Sequence, residues 1–124
     1  MARPLGILLL AGDHDRAHYA LVVATGAAAL GREVTLFATN AGCGLFRADR
    51  PLEADPRETV LAGRGVAGIA TLLDAAAELG IRRIACEAGL RAEAIPAADL
   101  LPGIEVAGIV TFLTAVGDGQ IVTL

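Results

Sequence analysis

Residues 5–38 read LGILLLAGDHDRAHYALVVATGAAALGREVTLFA, and the pattern changes twice along them. Residues 5–11 are an unbroken apolar run ending at Gly12, which predicts a strand buried on both faces. Asp13 and Asp15 then offer an N-cap, and residues 16–30 read as a helix closed by Gly31. Residues 33–38, EVTLFA, return to β-formers and predict a second strand. Two apolar strands joined by a helix predict a parallel sheet with helices covering both faces.

The alternation continues down the chain. Residues 66–79 predict a helix stopped by Gly80, and residues 81–86 (IRRIAC) a third strand. A short helix is expected over 88–94, a brief strand over 104–106, a helix over 107–116 and a last strand over 120–124. Between them, residues 39–65 hold Pro51, Pro56, several glycines and alternating charges. A connection that long is functional or contains a short helix. The charged part, 47–58, reads as a solvated loop or as a lid. The expected architecture is one α/β domain over residues 1–124, three layers deep, with a doubly wound parallel sheet of about five strands. Right-handed crossovers bring the strand-to-helix loops 12–15, 40–45 and 86–90 to one edge of that sheet.

Composition removes whole classes of chemistry. The chain has no Ser, Lys or Trp, and Asn40, Gln120 and Tyr19 are each the only residue of their type. No Lys means no Schiff base and no Walker lysine, and no Ser means no serine triad. The net charge is −4, with ten Arg scattered among fourteen acids. Only Arg82-Arg83 are adjacent, so no basic stripe tracks a phosphate backbone, and nucleic acid is not an expected partner. The N-terminal apolar run is short and breaks into Asp13-His14-Asp15, unlike a signal peptide, and no run is long enough to span a membrane. Both cysteines are therefore expected as thiols in a reducing cytoplasm. Residues 17–31 and 106–117 carry no charge on any helical face, which points to burial against another subunit and a homo-oligomer.

The remaining nucleophiles are Cys86 and Cys43. Cys86 ends a strand just before a helix, where the helix N-terminus and Arg91 favour thiolate and Glu87 opposes it; the plain alternative is a small buried hydrophobe. Cys43 lies in NAGCG beside Asn40, in a loop flexible enough to approach a ligand. His14 and His18 are four apart and with the two cysteines would make a zinc set, yet no CxxC pair supports one, and no metal is expected. GRGVAG at 63–68 matches a dinucleotide fingerprint, with Glu87 about where a ribose-binding acid is wanted. It lacks a proper preceding strand, so helix packing accounts better for its glycines and no cofactor is expected.

Three stretches together resemble the DsrE/DsrF-like family. They are AGDHDRAHYALVVATGAAALGREVTLF (11–37), ELGIRRIACEAGL (78–90) with its strand ending in cysteine, and PGIEVAGIVTFLTAV (102–116) before the closing strand. The chain departs from the family pattern at Gly89-Leu90, where a Met-containing segment is usual, and in carrying Cys43 after the second strand. The resemblance implies a DsrEFH-like fold of flavodoxin-like topology, assembled as a homotrimer or hexamer. It implies a cytoplasmic sulfur carrier or sulfurtransferase that takes sulfane sulfur from a donor protein as a persulfide on Cys86 and passes it to an acceptor protein. Cys43 would then be a resolving or second relay thiol, with His14, Asn40 and Glu87 as neighbours. The rival is a small-ligand or subunit-interaction module of the same fold in which Cys86 is inert.

Overall fold

In the computed structural model, which describes residues 2–124, five strands form one wholly parallel sheet. They are β1 (Leu5–Leu9), β2 (Val34–Ala38), β3 (Arg82–Cys86), β4 (Glu105–Ala107) and β5 (Gln120–Thr123), in the order β4-β3-β2-β1-β5. The helices are α1 (His14–Ala29), α2 (Pro56–Gly63), α3 (Ile69–Glu78), α4 (Glu87–Ala92) and α5 (Ile109–Val116). The layers are those of a doubly wound α/β protein, as expected, but the strand order is not the 2-1-3-4-5 of a flavodoxin-like sheet. The chain steps from β1 to β4 in one direction and turns back only for β5. Right-handed crossovers therefore put α1 and α3 on one face and α5 on the other.

Alternation along the strands feeds two cores. Leu5, Ile7, Leu9, Leu36 and Ala38 pack with Ala17, Leu21 and Ala24 of α1 and with Ile69 and Leu73 of α3. On the opposite face Phe37, Ile84 and Cys86 pack with Phe112 and Val116 of α5. The Phe37 and Phe112 rings stack with centroids 4.9 Å apart. Helix α5 lies directly on β1 because Gly6 has no side chain: a Cβ there would collide with Val116 and Phe112.

The caps behave as read. Asp13 Oδ2 accepts the Arg16 N–H at 3.2 Å, and Gly31 leaves α1 at φ +85°. Strand β1 stops at Leu9, short of the apolar run, because the Leu10 and Ala11 N–H groups turn to the Leu124 carbonyl. The 39–65 connection holds the 3-10 turns Asn40–Phe46 and Pro51–Ala54 and then α2, which Asp55 caps by accepting the Arg57 N–H at 2.8 Å. Helix α3 begins at Ile69, later than expected, since Gly68 is extended and serves as its N-cap. Among the described residues no helix is long and apolar enough to cross a membrane.

Candidate functional site

The carboxyl ends of β1, β2 and β3 meet as the topology requires. A Cβ on Gly12, in the loop after β1, would stand 2.8 Å from the Ala41 carbonyl oxygen of the turn after β2. A Cβ on Gly89, in α4, would stand 2.5 Å from the Asn40 nitrogen and 2.6 Å from Thr39 Oγ1 of the same turn. The three loops are thus in contact through their smallest residues. Asn40 takes the left-handed conformation (φ +48°) that lets the chain double back there; its side chain is exposed.

Cys86 closes β3 and is also the N-cap of α4, with its Sγ accepting the Gly89 N–H at 3.4 Å. The residue is only 7 % exposed, the burial expected of a small packed hydrophobe. The cover comes from α5, whose first turn stands across from α4. Between them runs an open, mostly apolar groove of about 440 Å³, lined by Cys86, Glu87, Ala88 and Arg91 on one side and residues 108–111 on the other. Arg91 and Glu87, both exposed, pair with each other. The guanidinium is therefore largely neutralised where it faces the groove. Another depression, about 410 Å³, lies at the opposite edge beside Arg32, Glu33 and Arg82 and has neither thiol nor histidine on its walls.

Cys43 is fully buried on the Asn40–Phe46 turn, and its S–H donates to the Ala38 carbonyl at 3.5 Å. Burial pushes its pKa up to about 11; a negative charge on Cys86 adds to the rise, and the nearby Cys86 backbone works against it. Both cysteines are free thiols. They belong to different faces of the sheet, Cys43 to the core under α1 and α3 and Cys86 to the core under α5.

His14 goes elsewhere. Its Nε2 bonds Glu58 Oε2 at 3.0 Å, its ring stacks on His18 at 5.7 Å, and Asp15 Oδ1 lies 4.0 Å from its Nδ1. His18 Nε2 bonds the Ala67 carbonyl at 2.8 Å. The histidines hold α2 and α3 to α1, while the sulfurs bond at the ends of β2 and β3. Among the described residues, no three or more His, Cys, Asp or Glu side chains are grouped to hold a metal. GRGVAG begins at the last residue of α2, and a helix, not a strand, precedes it. The glycine fingerprint has no phosphate-binding turn to build.

Two sets of residues at these sites were missed from sequence. Glu58 binds His14 and also accepts the Ile69 N–H at 2.8 Å, capping α3. Its signal was DPRE at 55–58, the D-x-x-E pattern of a helix start, within a stretch read as a solvated loop. The first turn of α5, residues 108–111, forms the far wall of the groove; its uncharged sequence was read for oligomerisation alone.

Comparisons with known proteins bear on the family and the fold. Residues 3–60 match the family model described as the DsrE/DsrF/DrsH-like family. The protein named Uncharacterized protein YrkE, from Bacillus subtilis (strain 168), is 26% identical over 147 residues, covering 93% of this chain and 92% of its own length. The ychN protein from E. coli superposes with a TM-score of 0.69 at 12% identity, over 99% of this chain and 100% of its own. MTH1491, a protein of unknown function from Methanobacterium thermoautotrophicum, superposes at 0.61 and 20% identity, again over 99% and 100%. These two likenesses establish the fold.

Proposed function

We propose that the chain is a member of the DsrE/DsrF/DrsH-like family, whose model matches residues 3–60, and that it carries sulfane sulfur as a persulfide on Cys86. The observation that carries this reading is a cysteine at the carboxyl edge of the sheet, on the wall of an open groove, with a backbone N–H directed at its sulfur. In the proposed step the Cys86 thiolate attacks the outer sulfur of a donor persulfide, R–S–SH. The donor S–S bond breaks, a new S–S bond forms on Cys86, and the donor leaves as the thiolate R–S⁻. The proton stays with the transferred sulfur, and no net oxidation occurs. An acceptor thiolate reverses these events. The chemistry needs no metal, lysine or serine.

Donor and acceptor are proposed to be proteins, in a reducing cytoplasm, with the chain itself a homo-oligomer. The apolar character of the groove and the pairing of Arg91 with Glu87 suit a protein surface better than a small multivalent anion. One observation favours the rival reading of an inert module: the 7 % exposure of Cys86, which is that of a packing residue.

Intact-mass spectrometry of the reduced protein after incubation with a sulfane-sulfur donor separates the two. A gain of about 32 Da that survives Cys43→Ala and disappears with Cys86→Ala is expected. No gain in the folded protein, with both thiols reactive after denaturation, would leave the fold and remove the sulfur role.

A further inference from the structure

The two edges of the sheet are not alike. Strand β4 is three residues long, and its Glu105 is tied to Arg82, a charge of the kind that discourages further pairing. Strand β5 carries no such device: QIVT at 120–123 has no charge, no proline and no bulge in its register with β1. The ladder fixes which of its backbone groups are spent. The Gln120 N–H bonds the Pro4 carbonyl, the Leu124 N–H bonds the Leu8 carbonyl, and the Leu10 N–H returns to the Leu124 carbonyl, each at 2.9 Å. In a parallel pair each residue turns its N–H and C=O to one side, and its neighbours turn theirs to the other. Gln120, Val122 and Leu124 therefore face β1, while Ile121 and Thr123 aim their N–H and C=O away from the sheet. Among the described residues nothing bonds those outward groups.

We propose that β5 pairs antiparallel with β5 of a second copy of this chain, about a two-fold axis at Val122. The strand is self-complementary in that register. Ile121 stands opposite the partner's Thr123 as a hydrogen-bonded pair that exchanges both N–H···O=C bonds, and the axis repeats the pair. Every outward group of both strands then has a partner, and the edge is closed to further addition. The side chains agree with the backbone. Ile121 and Thr123 stand beside Gly6 and Leu8 of β1 on the α5 face, where Ile121 is left 43% exposed. Pairing sets each Ile121 against a Thr123 and brings two uncharged α5 helices onto one side of a continuous sheet. Charge agrees too. Arg3, Arg32 and Asp118 cluster at the amino end of β5, and antiparallel pairing sets that end beside the partner's uncharged carboxyl end. Cys86 is separated from β5 by β1 and β2, so its groove stays open in the pair.

The inference rests on the homo-oligomer of the proposed function and names its surface; it is independent of the persulfide. Thr123→Pro removes an outward N–H and takes nothing from the β1 ladder. By sedimentation equilibrium the wild type is expected at an even multiple of the 12.6 kDa chain, and Thr123→Pro at half the wild-type mass with unchanged circular dichroism. Disulfide trapping with diamide, in a Cys86→Ala background, reads the register. Val122→Cys is expected to cross-link two copies, because residues facing each other in a non-hydrogen-bonded antiparallel pair have Cα atoms ~4.5 Å apart. Thr123→Cys is expected to stay uncross-linked, since the axis offsets the two copies of that residue by two positions, ~8 Å. A wild-type monomer at micromolar concentration overturns the pairing and the homo-oligomer together. An oligomer whose mass Thr123→Pro leaves whole, or one in which Val122→Cys does not cross-link, overturns the pairing alone. Should Thr123→Pro not fold, the cysteine variants decide, and cross-linking at 123 as readily as at 122 overturns the pairing.

Discussion

Two sulfurs in one small protein differ here because of what surrounds each. Cys43 has no water and a carbonyl to satisfy; Cys86 borders a groove and accepts an N–H. The alkaline stability of the fold reports this difference. Burial holds the Cys43 thiol at about 11 in the folded chain against 9.0 for a free thiol, so above pH 9 the unfolded chain releases a proton that the folded chain keeps. Stability present at neutral pH is therefore lost between about pH 9 and 11, by an amount on the order of 2 kcal/mol. The chain has no Lys, so no lysine titration overlaps that window. Urea unfolding across it should show the decline in wild type and a flatter curve in Cys43→Ala. Gly89 gives a second expectation at this scale. Gly89→Ala puts a Cβ against the Asn40 nitrogen and should cost about 1–3 kcal/mol in denaturant midpoint and slow Cys86 alkylation. Gly44→Ala, with open space at its Cβ, should stay within about 0.5 kcal/mol. Equal effects would mean that α4 does not depend on the close approach.

Helix α2 has one buried residue, Leu61, and its firmest tie to the body is the Glu58 carboxylate, shared between His14 and the Ile69 N–H. Removing that carboxylate leaves a buried ring nitrogen and a helix N-terminus without a partner. Glu58→Ala should therefore cost about 2 kcal/mol, with faster hydrogen exchange at the Ile69 amide and through α2 while the β1–β2 core stays protected. Unchanged exchange at Ile69 would assign the attachment of α2 to Leu61 instead. At the sheet edge, Arg82 holds β4 through two bonds to Glu105, at 3.0 and 2.7 Å. The bond from Arg82 lowers the Glu105 pKa, so its contribution is present above the ordinary glutamate range and lost as pH falls through the lowered value. Glu105→Gln should cost about 0.5 kcal/mol at pH 7 by urea unfolding, and nothing near pH 2. The elements themselves were legible where a local signal existed: the apolar runs of β1 and β2, the Asp13 cap, and Gly31 and Gly80 after α1 and α3. Helix α2 was not resolved from its loop because charges mask its single buried position. The capping box at 55–58 was the usable clue.

Strand order and site closure are properties of the whole chain, and no local pattern encodes them. Nothing in residues 102–124 says that β5 returns beside β1, yet that return places α5 alone on its face of the sheet and its first turn over Cys86. The position of Cys86 was therefore readable from the sequence, while its burial and groove were not. The same return leaves Val110 at 72%, Leu113 at 50% and Ile121 at 43% exposure, on and beside a helix with no charged residue. An eight-residue helix does not cover one face of a five-stranded sheet, and the proposed homo-oligomer is where those side chains would be buried. Sedimentation equilibrium should then give a mass that is a multiple of the 12.6 kDa chain. Leu113→Glu changes an exposed position outside the groove, so it should leave the protomer's fold and circular dichroism unchanged while shifting the mass towards that of one chain. Thr25→Glu, on α1 and across the sheet, tests whether the uncharged stretch of that helix after Arg16 serves as a contact as well. A wild-type protein that sediments as a monomer at micromolar concentration would remove the oligomer and leave the α5 face as a surface for the sulfur partners. In that case Leu113→Glu should weaken sulfur delivery to Cys86 from a protein donor and leave its alkylation by iodoacetamide unchanged.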